Sequence, residues 1–132
     1  MITAVDTSVL IAIDLGESEA ERWIESLASA RTKGALVICD VVAAEFYAVV
    51  QQRSSFETTL GDLGIRMVPT STEAACVAGS AFRKYCDAGG PRDHLVPDFL
   101  IAAHASLQAD RLAALDRGYL RAYFPNLKRL EP

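Results

Sequence analysis

The sequence predicts an α/β fold in which a central parallel β-sheet is flanked by helices on both faces. Short strand-like runs alternate along the chain with longer segments of helical periodicity, and such alternation implies βαβ units. One of the runs, ALVIC (35–39), is apolar throughout and β-branched in its middle, as suits a parallel strand buried on both sides. The chain has 132 residues, 51% of them hydrophobic and 23% charged, which suits one globular domain, 1–132, built round a single core.

In order, TAVD (3–6) reads as a first strand running into a short helix, TSVLIAIDL. Ser18 and Glu21 have capping-box spacing before the helix ERWIESLASAR, which stops near Gly34. After ALVIC, Asp40 is placed to cap VVAAEFYAVVQQR. Ser54 and Glu57 repeat the box before a short helix ending at Gly64, and IRMV (65–68) is the third strand. Thr70 and Glu73 form a third box before AACVAGSAFRKYC, and the Gly- and Pro-rich stretch 87–91 is a loop. A helix over 98–109, the strand LAALD (112–116), a short helix around GYLRAYF and a last short run, LKRL (127–130), complete the chain.

The formal net charge of −4 argues against a protein that grips long nucleic acid through bulk positive charge. The N-terminal MITAVDTSVLIAIDLG lacks a basic start and is interrupted by Asp6 and Asp14, and no apolar run approaches a membrane span. These features predict a cytoplasmic protein that does not enter a membrane. Cys39, Cys76 and Cys86 are odd in number, without C-x-x-C spacing and with only His94 and His104 to join them. Reduced thiols are expected rather than a zinc site or disulfides.

Four acids stand where chemistry could use them. In a parallel α/β sheet ligands bind beyond the carboxyl ends of the strands, and there Asp6 closes the first strand and Asp116 the fourth. Either could equally be a turn former. Glu45 falls inside VVAAEFYAVV, with Val41, Val42, Ala48 and Val49 on its own helical face. A carboxylate on an apolar stripe must be partnered, by an Arg or Lys, or be functional. Asp98 opens PDFLIAAHA above Ile101, Ala102 and Ala105, either as a cap or as part of a site. Four carboxylates converging on one point need a cation between them, and hard oxygen donors favour Mg²⁺ or Mn²⁺.

The four segments VDTSVLIA, VVAAEFYAVV, PDFLIAAHA and LAALDRGYLRAYFPNLKRLEP, in this order and spacing, resemble the PIN domain, and most closely the VapC-type toxins of bacterial toxin–antitoxin pairs. The resemblance implies a three-layer sandwich and a ribonuclease whose metal-site acids are Asp6, Glu45, Asp98 and Asp116, cleaving RNA to leave a 5′-phosphate and a 3′-hydroxyl. A bound Mg²⁺ or Mn²⁺ would acidify the attacking water and neutralise charge on the phosphate. It also implies a VapB-type antitoxin as partner and a homodimer, for which aromatics such as Trp23 and Phe56 are candidate contacts or core. Where the family often carries Thr or Ser two residues before its last acid, this chain has Ala114.

Ser8, at the start of the helix after the first strand, could meet a phosphate or simply cap that helix. Arg83, Lys84, Arg92 and Arg117 are the cations best placed for an RNA backbone, with a solvated surface as the alternative. His94 lies in a loop that could approach substrate, whereas His104 falls off the face that carries Asp98. Rival readings use the same acidic pocket. A phosphatase of the haloacid dehalogenase kind needs a second Asp where Ser8 stands, a receiver-like phosphoacceptor needs a Thr and Lys not identifiable here, and a PIN scaffold could serve binding alone.

Overall fold

The computed structural model describes residues 1–91, 94–115 and 118–132. Among these residues the chain runs β1 (Thr3–Val5), α1 (Thr7–Asp14), α2 (Ala20–Arg31), β2 (Leu36–Ile38), α3 (Asp40–Val50), α4 (Arg53–Leu63), β3 (Ile65–Met67), α5 (Thr72–Asp87), α6 (Val96–Gln108), β4 (Arg111–Ala113), α7 (Gly118–Tyr123) and β5 (Lys128–Leu130). The strands form one sheet in the order β3-β2-β1-β4-β5, every pair parallel. Short as they are, β1 and β2 are buried at every position, and the polar residue among them, Thr3, accepts from Arg111 Nε at 2.9 Å.

The strand order places the helices. From β1 the chain steps outward twice, to β2 and β3, then returns across the sheet to β4 on the other side of β1. Right-handed crossovers therefore lay α1–α4 on one face and α5–α7 on the other. Packing agrees: α1 lies against α2 and α3, α4 against α3 and α2, and α5 against α6. The sheet is thus the middle of three layers, as the sequence predicts. Leu10, Trp23, Leu27 and Phe46 fill the core from the first face and Phe99, Ala102 and Ala103 from the second, all essentially inaccessible. Trp23 belongs wholly to this core, and Phe56 packs beside Phe46 and Tyr47, with ring centroids 5.8 and 5.7 Å away.

The element boundaries correct several expected caps. α2 starts at Ala20 and α4 at Arg53, neither with a side-chain cap, so the boxes at Ser18 and Ser54 do not form. α5 is capped by Ser71, whose hydroxyl accepts from Ala74 N, because Thr70 is engaged elsewhere. Asp40 takes both the backbone N–H and the hydroxyl of Thr70, at 2.9 and 2.7 Å. These bonds hold its carboxyl below the usual carboxylate range and tie the start of α3 to the entry of α5. α3 itself ends at Val50, where Gln51 turns left-handed with φ 53°. Gly64 ends α4 with φ +71°, and a Cβ there would also meet the Arg31 guanidinium, so both conformation and space require glycine.

The thiols are free. Cys39 is buried, Cys76 and Cys86 are exposed, and burial pushes the Cys39 thiol up. No described helix is long and apolar enough to cross a membrane.

Candidate active site

Three of the expected acids open onto one depression of about 190 Å³, lined by Asp6, Thr7, Ser8, Ile11, Glu45, Asp98 and Ile101. They come from three different elements. Asp6 follows β1, and its amide donates to Ala113 O of β4 at 3.0 Å. That bond fixes it in the crevice where the chain has run away from β1 in one direction and returned in the other, the usual ligand position of such sheets. Asp6 also caps α1: its Oδ2 accepts from Ser8 N at 3.4 Å and from Ser8 Oγ at 2.5 Å. It is 6% exposed.

Glu45 reaches the depression from α3, and its Oε1 accepts from Thr7 Oγ1 at 2.6 Å. This is the short distance of an O–H donor on a charged acceptor. Its helix face is less buried than the spacing suggested. Val42, Ala43 and Phe46 are the buried residues of α3, whereas Glu45 is half-buried and Ala48 and Val49 are exposed. Among the described residues, the partner that meets this carboxylate is a hydroxyl rather than the Arg or Lys considered from the sequence.

Asp98 both caps its helix and lines the depression. α6 begins at Val96, with Pro97 in its first turn and Leu95 as the preceding cap residue. Asp98 Oδ2 reaches back to accept from Leu95 N at 3.2 Å, satisfying an N–H that the helix start leaves over. The same carboxylate lines the depression, 3.6 Å from His94 Nδ1. Ile101, Ala102 and Ala105 below it are buried as expected.

Each carboxylate therefore meets a hydroxyl or a backbone N–H that orients it. All-oxygen donors of this kind match hard cations such as Mg²⁺ and Mn²⁺ in type. Among the described residues, however, no three carboxylate, imidazole or thiol groups are arranged to hold an ion by themselves. The trio is looser than a cluster collapsed on one point. Asp116, the fourth expected acid, lies outside the described residues, as do Arg92 and Arg117.

The other candidates are placed as follows. Ser8 lines the site with its hydroxyl directed to Asp6. Arg83 pairs with Asp87 one turn along α5 at 3.2 Å, its side chain 80% exposed, and Lys84 borders a separate depression with Cys76 and Tyr123. His104 is buried, with Nε2 2.8 Å from Val68 O. Burial holds its pKa below the ordinary value, against the opposing pull of that bond and of Asp40. Ala114 is buried, and its carbonyl accepts from Arg129 Nη1 at 3.2 Å. Sequence reasoning passed over Thr7, whose signal was its place between Asp6 and Ser8, and left His94 undecided.

Comparison with solved structures finds the same fold in toxin–antitoxin proteins. The VapBC2 complex of Rickettsia felis bound to a promoter DNA fragment matches with a TM-score of 0.71 and 20% identity, over 99% of this chain and 98% of that one. VapBC-1 of nontypeable Haemophilus influenzae matches with a TM-score of 0.70 and 17% identity, over 99% and 98%. VapC20 of Mycobacterium tuberculosis, a toxin that cleaves the sarcin–ricin loop, matches with a TM-score of 0.64 and 15% identity, over 91% and 94%. No curated protein sequence matches the chain. The PIN domain family model matches residues 3–125, and with β1, the sheet crevice and the acid-lined depression all inside that span, the chain belongs to the PIN domain family.

Proposed function

We propose that this protein is a metal-dependent endoribonuclease and the toxin of a VapBC-type pair. The observation that carries the reading is the convergence of Asp6, Glu45 and Asp98, from β1, α3 and α6, on one depression at the carboxyl edge of the sheet. Mg²⁺ or Mn²⁺ held by these carboxylates together with Asp116 would acidify the attacking water and neutralise the phosphate in the transition state. The chain's own groups do the positioning. Ser8 holds Asp6, Thr7 holds Glu45, and the start of α6 holds Asp98. A phosphodiester is split by water, leaving a 5′-phosphate and a 3′-hydroxyl, so no nucleophilic side chain is needed.

The solved VapBC complexes that share this fold support a VapB-type antitoxin as partner; a homodimer as the working unit and the cytoplasm as its place of action are part of the same proposal. The deciding experiment is cleavage of single-stranded RNA with Mn²⁺ and with chelator, on the parent chain and on Asp6→Asn, alongside a phosphomonoester. Metal-dependent RNA cleavage lost in Asp6→Asn supports the nuclease. Phosphomonoester hydrolysis alone points to a phosphatase, and inertness toward both leaves a binding scaffold. Slow growth on expression, relieved by the neighbouring small open reading frame whose product copurifies, tests the toxin assignment.

A further inference from the structure

A second cavity adjoins the acid site. It measures about 300 Å³ and lies between the end of α5 and the loop leading to α6, lined chiefly by Phe82, Tyr85, Cys86, His94 and Leu95. Its walls are flat and fixed. Phe82 and Tyr85 stack with an interplanar angle of 21°, and the loop is pinned over them by Gly90 N donating to Tyr85 O at 2.9 Å and by the Tyr85 hydroxyl donating to Pro91 O. A Cβ on Gly90 would stand 2.5 Å from the Tyr85 ring, so ring and backbone lie face to face with nothing between. His94 closes the remaining side. It packs on Tyr119 at 4.2 Å, meets Tyr85 edge-on at 6.0 Å, and places Nδ1 3.6 Å from Asp98 Oδ2. Leu95 joins the two sites as well, lining the cavity and donating its N–H to Asp98.

We infer that this cavity receives an unpaired nucleobase of the RNA strand whose phosphate lies at the carboxylates, so that it selects the bases beside the cut. The inference rests on the nuclease reading and adds a specificity subsite to it. Its size is at the small end for ligand pockets, suited to one heterocycle. Proteins hold the splayed bases of single-stranded RNA against aromatic rings, and of the rings lining this cavity Phe82 and His94 are half-buried while Tyr85 is buried. The imidazole between cavity and Asp98 leaves no more than one side chain between a bound base and the acid site, a separation that one nucleotide bridges.

The two exposed thiols of α5 give the test. Cys86 lines the cavity, and Cys76 borders a different depression on the same helix. Iodoacetamide labelling of each is followed by mass spectrometry on the Asp6→Asn chain, with Mg²⁺, at concentrations where a fluorescent hexaribonucleotide is bound by anisotropy. The expected result is Cys86 labelling slowed about tenfold by the hexamer and unaffected by an abasic hexamer, with Cys76 unchanged under both. Cys86→Phe fills the cavity without touching a carboxylate. It should weaken binding of the hexamer about tenfold but not that of the abasic strand, whereas Cys86→Ser binds as the parent does. Equal Cys86 labelling with and without bound RNA, or undiminished binding by Cys86→Phe, overturns the subsite. If the parent still cleaves RNA in that case, the nuclease reading stands alone. A parent that neither binds nor cleaves RNA refutes both.

Discussion

The bond between Thr7 and Glu45 offers the sharpest test of how the site is built. Thr7→Val keeps the branched shape and removes the hydroxyl, leaving Glu45 Oε1 without the donor it holds at 2.6 Å. A hydrogen bond to a charged acceptor contributes about 1.5–3 kcal/mol. Glu45 is half-buried, so water replaces part of the loss, and a cost of about 1–2 kcal/mol is expected. The larger effect falls on the metal. Groups that orient a ligating carboxylate change metal affinity by about 10–100-fold, so the Mn²⁺ concentration needed for half-maximal RNA cleavage should rise by that factor, while Thr7→Ser stays near the parent. Urea unfolding and metal titration of Thr7→Val, Glu45→Gln and the double variant complete the cycle. The reasoning is refuted if Thr7→Val needs no more metal than the parent, or if the two substitutions add without coupling.

Three further outcomes follow from contacts already described. Asp98→Asn keeps an acceptor for Leu95 N while removing a charge facing Asp6 and Glu45. In chelator it should melt no lower than the parent, yet lose cleavage and the stabilisation by metal, whereas Asp98→Ala should melt lower; thermal melts with and without Mn²⁺ check this. His104 is buried and its folded-state pKa is depressed below 6.5, so the native state binds fewer protons than the unfolded one. Stability should therefore fall as pH drops below about 6.5, by up to about 1.4 kcal/mol per pH unit. His104→Gln, which can still donate to Val68 O, should remove that slope in urea titrations between pH 5 and 7. The stabilisation from Asp40 is lost only lower, as pH falls through its depressed carboxyl pKa. Gly64→Ala must hold an L-residue at φ +71° against Arg31 and should cost about 1 kcal/mol or more by denaturant unfolding.

The layers of the fold, and the meeting of Asp6, Glu45 and Asp98 at one depression, were legible because they follow from coarse properties: apolar runs, helical periods and strand-end positions. What escaped depends on tertiary partners. Thr70 looked like a cap, but Asp40 claims its hydroxyl from another helix, and Ser71 takes the role. Glu45 looked deeply buried because helical spacing says which residues share a face, not where that face leaves the core; Ala48 and Val49 already stand in solvent. Trp23 could not be assigned between surface and core, since its large apolar ring serves either. The part played by His94 depends on how a Gly- and Pro-rich loop folds back, and no periodicity encodes that.

The position of β1 has a consequence for the protein's own synthesis. β1 is the central strand, but its neighbour on one side, β4, comes from residues 111–113, and Asp98 lies about three-quarters of the way along the 132-residue chain. Until those segments emerge, Asp6 lacks the Ala113 carbonyl that fixes it, and the depression has no wall from α6. An emerging chain therefore carries no assembled carboxylate site until α6 and β4 have been made and have docked. Strand order alone thus makes any chemistry of these acids wait on a contact between segments at opposite ends of the described fold, Asp6 and Ala113.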